Sequence, residues 1–195
     1  MNLLSVKNLG YTRDNRFLFK NINFELKPSD LLYVCGSNGI GKSTLLRILT
    51  GLISPTLGQI KWNIKDSSSK IQYLGHFNGL KTQLTVAENI KVFASLSGVA
   101  TDPKKLLKKA ELAHLSCKKV IELSAGQKRR LALCRLKIKP ANIWILDEPS
   151  TALDTAGQQW FDDLLSTHLT SGGVIIMATH EAVTGNKLVL DNFAC

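Results

Sequence analysis

A run of glycines between two apolar segments constrains this chain more than any other feature. It reads Gly36-Ser37-Asn38-Gly39-Ile40-Gly41-Lys42-Ser43 and matches the P-loop pattern G-x-x-x-x-G-K-[ST]. The continuous apolar run before it, Leu31–Cys35, predicts a strand buried on both faces. The segment after it, Lys42–Thr50, has helical spacing and is followed by Gly51, which predicts where the helix ends. A strand, a glycine-rich loop and a helix in this order predict a P-loop α/β domain.

In such a loop, successive N–H groups point inward and form a nest for anions at the positive end of the following helix. The Lys42 ammonium would contact the β- and γ-phosphates of a nucleotide, and the Ser43 hydroxyl would ligate Mg²⁺. The alternative is a glycine-rich turn that only connects a strand to a helix. The predicted phosphate-binding residues are Gly36, Ser37, Asn38, Gly39, Ile40, Gly41, Lys42, Ser43 and Thr44.

A second apolar strand ends in two acids, Asp147 and Glu148. Both strand ends are expected at the same edge of a parallel sheet, where ligands of open α/β sheets bind. Asp147 is placed to hold Mg²⁺, directly or through water, and Glu148 to orient and deprotonate an attacking water. An apolar strand followed by acids is weak evidence alone, because many strands end in polar residues; the P-loop upstream strengthens it.

The remaining segments predict strands on either side of a helical middle. We expect an α/β core, residues 1–80 and 124–195, with an inserted helical lobe at residues 81–123, all in a single domain. Asp102 would cap a helix that has Pro103 in its first turn. The other predicted strands are Leu3–Leu9, Ile22–Leu26 after a turn region from Gly10 to Phe17, Gly58–Trp62, Lys70–Leu74, Ile143–Leu146, Gly173–Ala178 and Lys187–Leu190. The other predicted helices lie between Val86 and Leu115, from about Ser124 to Ile138, and over Thr155–Leu169.

Composition restricts the class of protein further. No apolar run approaches the length of a transmembrane helix and the N-terminus lacks a secretory pattern, so any membrane-spanning part would belong to another chain. The net charge of +10 fits a solvated basic face or anionic lipid headgroups; we expect no nucleic-acid partner, because no aromatic residues are interleaved with the basic ones. The four cysteines, at positions 35, 117, 134 and 195, lack metal-site spacing, so we expect a reducing compartment.

Further motifs resemble those of the ABC transporter ATP-binding subunits, in the expected order along the whole chain. Leu123-Ser124-Ala125-Gly126-Gln127 resembles the ABC signature Leu-Ser-Gly-Gly-Gln, and Pro149–Asp154 resembles the segment that follows the catalytic acids. His180 is similar to the family's switch histidine, and Tyr11 to the aromatic residue that stacks on adenine. The resemblance implies an ABC ATPase core with a mostly parallel sheet, an N-terminal antiparallel β subdomain and an inserted helical subdomain.

The resemblance also implies that two chains share each ATP. In this family the signature of one subunit completes the nucleotide pocket of the other, so a two-fold homodimer would hold two ATP molecules. Ser124, Ala125, Gly126 and Gln127 would then contact the partner's nucleotide. His180 would contact the γ-phosphate and Asp154 would lie at the dimer interface. Without the resemblance, the favoured explanation of His180 would be a hydrogen-bonded histidine at a strand end.

One departure from the family pattern concerns a glutamine that the family places about seven residues before a Leu-Thr pair. Here that pair is Leu84-Thr85, and we match the glutamine to His76. Histidine can hydrogen-bond a water but is a poor Mg²⁺ ligand beside a polyphosphate. We therefore expect His76 to contact the nucleotide site in a different way. Ala125 replaces the usual glycine and adds one methyl group.

Three segments are more specific and resemble the haem-exporter ATPases of bacterial cytochrome c maturation. They are Tyr73–His76 followed by Gly79–Thr85 and Glu88-Asn89, then Leu123–Leu136, and then Ile143–Pro149. The resemblance implies a homodimeric ATPase at the cytoplasmic face of the inner membrane, working with integral-membrane permease subunits. Its ATP hydrolysis would drive haem export or release of a haem-loaded chaperone. The sequence has no C-x-x-C-H motif, and we expect no direct haem binding.

Two other functions share the catalytic motifs. The first is the ATPase of another ABC transporter, such as a nutrient importer; the Gly75-His76 segment and the short stretch after His180 speak against it. The second is an ABC ATPase that acts on nucleic acid or ribosomes. Such proteins usually carry two cassettes in one chain, and this sequence carries one.

Overall fold

The computed structural model describes residues 2–64, 71–181 and 183–194. The chain divides into two compact units: Met1–His76, Asn142–Glu148 and Thr167–Cys195 form the first, and Phe77–Ala141 with Pro149–Ser166 form the second. The strands are β1 Leu4–Arg13, β2 Arg16–Leu26, β3 Leu31–Cys35, β4 Leu57–Trp62, β5 Ile71–Leu74, β6 Ile143–Asp147, β7 Val174–Ala178 and β8 Lys187–Val189. The α-helices are α1 Lys42–Leu49, α2 Val86–Leu96, α3 Pro103–Lys109, α4 Ala125–Leu133 and α5 Thr155–Thr170.

The first unit contains two sheets. One is antiparallel with strand order β2-β1-β4, and the other is parallel with order β5-β6-β7-β3-β8. Every residue of β6 and β7 is buried, which explains why these strands are continuous apolar runs in the sequence. The α/β architecture predicted from the sequence, with an antiparallel β element near the N-terminus and a parallel sheet, is confirmed. Lys70, the first residue of one predicted strand, lies outside the described residues.

The predicted turn region from Gly10 to Phe17 is too long. Strands β1 and β2 continue to Arg13 and from Arg16, so that only Asp14 and Asn15 connect them. Both connecting residues have positive φ, 51° and 60°, as a two-residue hairpin turn with the right-handed strand twist requires. Gly10 suggested a turn, but it lies inside β1 beside the side chain of Leu57, where the strand register is irregular.

Helix α1 and both sheets share one apolar core. Leu45, Leu46 and Leu49 of α1 are at most 1% exposed, and each contributes roughly 2 kcal/mol through the apolar surface it removes from water. The helix ends in a Schellman motif, in which the N–H groups of Leu52 and Gly51 bond the carbonyls of Arg47 and Ile48. The predicted stop at Gly51 is thereby confirmed, and the core fixes the helix behind the loop that precedes it.

The second unit is helical around a core of its own. Its helices begin at side-chain caps: Thr85 forms a capping box with Glu88, Asp102 accepts from the Lys104 N–H, and Ser124 forms a capping box with Gln127. The predicted cap at Asp102 is confirmed. The core residues of this unit include Val86, Ile90, Leu107, Leu112, Val120, Leu131 and Cys134.

The helix predicted from Ser124 to Ile138 is shorter in the structure. Regular α-helix ends at Leu133, and Cys134–Lys137 continue as a 3-10 helix. Helices commonly tighten in this way at their C-termini, and Pro140 prevents the helix from continuing. Cys134 is buried, which raises the pKa of its thiol to about 12 and keeps it an inert core residue.

The predicted lobe, residues 81–123, lies wholly in the second unit, which also includes α4 and most of α5. Because the second unit is larger than the predicted lobe, the lobe boundaries at residues 81 and 123 stay a prediction. None of the helices in the described part of the chain is long and apolar enough to cross a membrane.

A buried asparagine stabilises the second unit. The Asn89 side chain is 0% exposed, its Oδ1 accepts from the Lys81 N–H at 2.8 Å, and its Nδ2 donates to the carbonyls of Lys81 and Thr85, both at 3.0 Å. Asn89→Ala removes all three bonds and leaves backbone groups without these partners. We expect the free energy of unfolding to fall by about 3 kcal/mol. Urea unfolding measures it, with the exposed Lys91→Ala in the same helix as the control; equal stability of the two variants would contradict the argument.

Candidate functional site

The parallel sheet aligns the ends of three strands at one edge. Val34 of β3 and Asp147 of β6 both pair with Ala178 of β7. Beyond the strands, the Thr179 N–H donates to the Val34 carbonyl at 3.2 Å and the Glu148 N–H donates to the Ala178 carbonyl at 3.1 Å. The predicted phosphate loop, the two acids and His180 therefore leave the sheet at the same edge.

The loop between β3 and α1 depends on glycine at two places. Gly36 has φ +145°, and Gly41, the residue before α1, has φ +111°. A Cβ on Gly41 would lie 3.3 Å from the ring of Phe19. Phe19 in turn pairs across the hairpin with Tyr11, whose ring centroid is 6.4 Å away. The Phe19 ring thus separates Tyr11 from the loop. Asn38, Gly39 and Ile40 are the middle residues of the loop, and Ser43 and Thr44 lie in the first turn of α1.

The Lys42 ammonium lies under this loop and is nearly buried, at 6% exposure. It donates to the carbonyl oxygens of Gly36 at 2.7 Å and Ser37 at 3.1 Å, and its Nζ lies 3.4 Å from His180 Nδ1. An ammonium can only donate, so Nδ1 is the acceptor, which leaves the proton of a neutral imidazole on Nε2. The lysine therefore fixes the tautomer of the histidine.

Glu148 continues the chain of contacts. Its Oε1 accepts from His180 Nε2 at 2.6 Å, and its Oε2 lies 3.8 Å from His76 Nδ1. The second distance is too long for a hydrogen bond, but it places both imidazoles beside one carboxylate. Lys42, His180, Glu148 and His76 thus form one continuous row of neighbouring side chains. The contact of His76 is with Glu148.

Asp147 and Ser43 are the candidate oxygen donors for a metal. Asp147 ends β6 and is 1% exposed, and Ser43 is the second residue of α1. A carboxylate and a hydroxyl are hard oxygen ligands, the type that Mg²⁺ prefers beside a polyphosphate. The donor set fits Mg²⁺.

A further acid contacts the phosphate loop and was missed by the sequence reasoning. Asp191 follows β8, and its carboxylate accepts from the Ser37 hydroxyl at 2.7 Å and from the Ser37 N–H at 3.1 Å. The Ser37 hydroxyl, with the Ser37 N–H, holds the pKa of Asp191 below its usual range. The signal was present, because Asp191 is an acid directly after a predicted strand, like Asp147.

In the second unit, the predicted signature begins α4. The Ser124 hydroxyl accepts from the Gln127 N–H at 3.2 Å, and the Gln127 side chain accepts from the Ser124 N–H at 3.0 Å. A Cβ on Gly126 would lie 2.5 Å from the carbonyl oxygen of Ala152, so this position requires glycine. Ala125 has an ordinary helical backbone, which accommodates its methyl group.

Asp154 is held beside the signature by a buried arginine. The Arg130 guanidinium, 8% exposed, pairs with Asp154 and with Glu111, and the Gly157 N–H donates to Asp154 at 2.8 Å. The Gly157 N–H, together with Arg130, holds the pKa of Asp154 below its usual range. A cleft of ≈ 820 Å³ in this unit is lined by Ser124, Ala125, Gly126, Gln127, Arg130 and Asp154, with residues 111–114, Ala152 and Ala156.

The predicted site residues thus form two groups, one in each unit. The first group comprises Tyr11, the loop from Gly36 to Thr44, His76, Asp147, Glu148 and His180. The second comprises Ser124, Ala125, Gly126, Gln127 and Asp154.

Comparison with known proteins places these groups in context. The ABC transporter family profile matches residues 19–151. The chain is 41% identical over 189 residues to the cytochrome c biogenesis ATP-binding export protein CcmA of Vibrio vulnificus, covering 92% of each chain. It is 40% identical to the CcmA of Agrobacterium fabrum, covering 91% of this chain and 89% of that one. Among solved structures, the dimeric, post-hydrolysis ATP-binding cassette MJ0796 bound to ADP and Pi superposes with a TM-score of 0.78, 25% identity and coverage of 91% of this chain and 88% of that one.

The lowered pKa of Asp154 makes its contribution to stability depend on pH. The carboxylate is ionised in the folded protein at pH values where the unfolded chain, with a pKa of about 3.9, already binds a proton. The contribution is complete above the unfolded pKa and is lost as pH falls through the lower folded pKa. We expect Asp154→Asn to be less stable than the wild type at pH 7 and the difference to shrink below about pH 4. Thermal melts from pH 3 to 7 measure it, and a pH-independent difference would contradict the assignment.

Proposed function

This chain belongs to the ABC transporter family and to its cytochrome c biogenesis ATP-binding export proteins, and we propose that it is the ATP-hydrolysing subunit of a cytochrome c maturation complex. In this proposal, ATP hydrolysis drives haem export or the release of a haem-loaded chaperone. The observation that carries the ATPase activity is the row from Lys42 through His180 to Glu148 at the sheet edge. The similarity to the cytochrome c biogenesis export proteins of Vibrio vulnificus and Agrobacterium fabrum supports the cytochrome c role.

ATP binds with its phosphates on the loop from Gly36 to Thr44. Lys42 contributes its charge from beneath the loop and exchanges a carbonyl acceptor for the β- and γ-phosphate oxygens. Tyr11 packs against the adenine. Ser43 and Asp147 hold Mg²⁺, which when bound neutralises charge on the β- and γ-phosphates.

Hydrolysis begins with a water molecule that attacks the γ-phosphorus. Glu148 accepts the proton of that water, while the bond from the γ-phosphorus to the oxygen bridging to ADP breaks. His180 orients Glu148 through its Nε2–H at 2.6 Å, and its Nδ1 accepts from Lys42, which contacts the γ-phosphate. A carboxylate held by a neutral imidazole stays aimed at one place, which lowers the cost of orienting the base.

His76 acts on the same carboxylate from the other side. Its Nδ1 lies 3.8 Å from Glu148 Oε2, so a water between the two could contact both groups. In this proposal, His76 positions the attacking water in place of a glutamine and leaves the metal to Ser43 and Asp147.

A second copy of the chain completes each ATP site. The Ser124 hydroxyl lies at the start of α4, beside the N–H groups of the first helical turn. Together these donors form an anion site. In a homodimer, Ser124 to Gln127 contact the phosphates held by the partner, and Asp154, held by Arg130, lies at the interface. The dimeric state of the MJ0796 cassette supports this arrangement.

The complex lies at the cytoplasmic face of the bacterial inner membrane, where integral-membrane permease subunits dock on the ATPase dimer. We propose that this chain binds neither haem nor nucleic acid, and that its partners contact the haem.

Affinity capture tests this function. The tagged chain is purified from detergent-solubilised membranes of its own host, and the co-purifying proteins are identified by mass spectrometry, with Lys42→Ala as a parallel bait. We expect multi-spanning proteins of the cytochrome c maturation system with both baits. A different permease would keep the ATPase function and overturn the cytochrome c role. Recovery of ribosomal proteins or nucleic acid without a membrane partner would indicate an ABC ATPase that acts on ribosomes or nucleic acid.

Glu148→Gln separates binding from chemistry. The amide keeps the shape of the side chain but cannot accept the proton of water, so we expect ATP turnover to fall by about 100-fold or more while ATP binding persists. The variant should accumulate as an ATP-bound dimer in size-exclusion chromatography. Lys42→Ala is the matched control, because it should lose ATP binding itself. Near-normal turnover by Glu148→Gln would exclude Glu148 as the base.

His76→Gln tests the position of the attacking water. A glutamine amide can bond the same water, so we expect turnover within about threefold of wild type. His76→Ala should lose about tenfold or more in kcat. Wild-type kinetics for both variants would show that His76 does not position the attacking water.

A further inference from the structure

The phosphate loop is fixed from outside by an acid at the far end of the sequence. Strand β8 pairs with β3 so that Val189 lies beside Cys35, the residue before the loop. Leu190 is fully buried, which fixes the backbone where the chain leaves the strand. Asp191 therefore reaches the loop from a defined direction.

The Asp191 carboxylate occupies both donors of one loop residue. Its Oδ1 accepts from the Ser37 hydroxyl at 2.7 Å, and its Oδ2 accepts from the Ser37 N–H at 3.1 Å. A Cβ on Gly36 would lie 2.6 Å from Oδ2, so the carboxylate reaches this position only because residue 36 is glycine. The absence of a side chain at position 36 leaves the space that the Asp191 carboxylate occupies.

The same two loop residues hold the lysine. The carbonyls of Gly36 and Ser37 accept from Lys42 Nζ at 2.7 and 3.1 Å. The N–H that Asp191 holds belongs to the peptide unit whose carbonyl is that of Gly36, so fixing the N–H also fixes the direction of that carbonyl. The contacts run from Asp191 through this peptide unit to Lys42.

We propose that Asp191 is a positioning residue for Lys42: its carboxylate fixes Ser37 and the Gly36–Ser37 peptide unit, so that the carbonyls of Gly36 and Ser37 hold the ammonium where the phosphates bind. The inference rests on the proposed role of Lys42 in phosphate binding. A carboxylate near a polyphosphate also repels it, so the two effects oppose each other. The three short contacts around Ser37 and Gly36 favour positioning, because repulsion between solvent-exposed charges is weakened by water and salt.

The test is ATP binding and turnover by Asp191→Asn. The amide keeps the size of the side chain but loses the charge and one acceptor oxygen. We expect the KM for MgATP to rise about fivefold with kcat within twofold, because Lys42 holds the phosphates in both the ground state and the transition state. The Kd for ATP, titrated in a Glu148→Gln background where turnover is suppressed, should rise by the same factor.

Two variants make the test specific. Ser37→Ala removes only the hydroxyl donor, so its effect should be smaller, and the double variant should lose less than the product of the two single effects. Asp14→Asn removes the same charge from the exposed hairpin turn, where asparagine suits the positive φ, and should leave KM unchanged.

Each possible result either supports or overturns the positioning role of Asp191. Unchanged or tighter ATP binding by Asp191→Asn would overturn the positioning role, as would a fall in kcat without a change in KM or independent effects of the two substitutions. If the Glu148→Gln protein binds no ATP even with Asp191 intact, the proposed ATPase function itself fails.

Discussion

The buried ammonium of Lys42 is the interaction on which the rest of the site depends. The Lys42 residue is 6% exposed, so its ammonium has lost much of its water and donates to protein acceptors instead. Its three protons have three acceptors: the carbonyls of Gly36 and Ser37 and the Nδ1 of His180. Because an ammonium cannot accept, this arrangement sets the tautomer of His180 and turns its Nε2–H toward Glu148. One lysine thus orients the histidine and, through it, the candidate base.

The backbone around Glu148 shows how the fold supports this orientation. Glu148 has φ +48°, a left-handed conformation that costs a residue with a Cβ roughly 1–2 kcal/mol. The conformation persists because β6 is buried along its whole length and the Glu148 N–H is bonded to the Ala178 carbonyl. The turn directs the carboxylate toward the ends of β7 and β5, where His180 and His76 follow. The parallel register of the sheet therefore decides which side chains meet.

The sequence predicted that the phosphate loop and the two acids lie at one edge of the sheet, but it missed the lengths of several elements. Motif spacing and the rule that parallel strands end at one edge pointed to Lys42, Asp147 and Glu148 without exact boundaries, whereas His180 was suggested by the family resemblance. The hairpin at Asp14-Asn15 and the early end of α4 were missed, because Gly10 and the continuing apolar pattern after Leu133 suggested other boundaries. The contact of His76 with Glu148 could not be predicted, since it depends on side-chain positions at the ends of two neighbouring strands.

The second group of site residues raises the question of whether a serine that caps a helix can also bind a phosphate. The Ser124 oxygen accepts from the Gln127 N–H, which uses one of its two acceptor positions. The cap does not use the hydroxyl proton, and a phosphate oxygen is an acceptor. The capping bond fixes the oxygen, so that little rotational freedom is lost when the hydroxyl donates to an anion. Gly126 packs against the Ala152 carbonyl and brings the segment that ends in Asp154 next to this serine. The bonds that start α4 therefore leave the hydroxyl proton available for the phosphate that, in our proposal, a partner subunit holds.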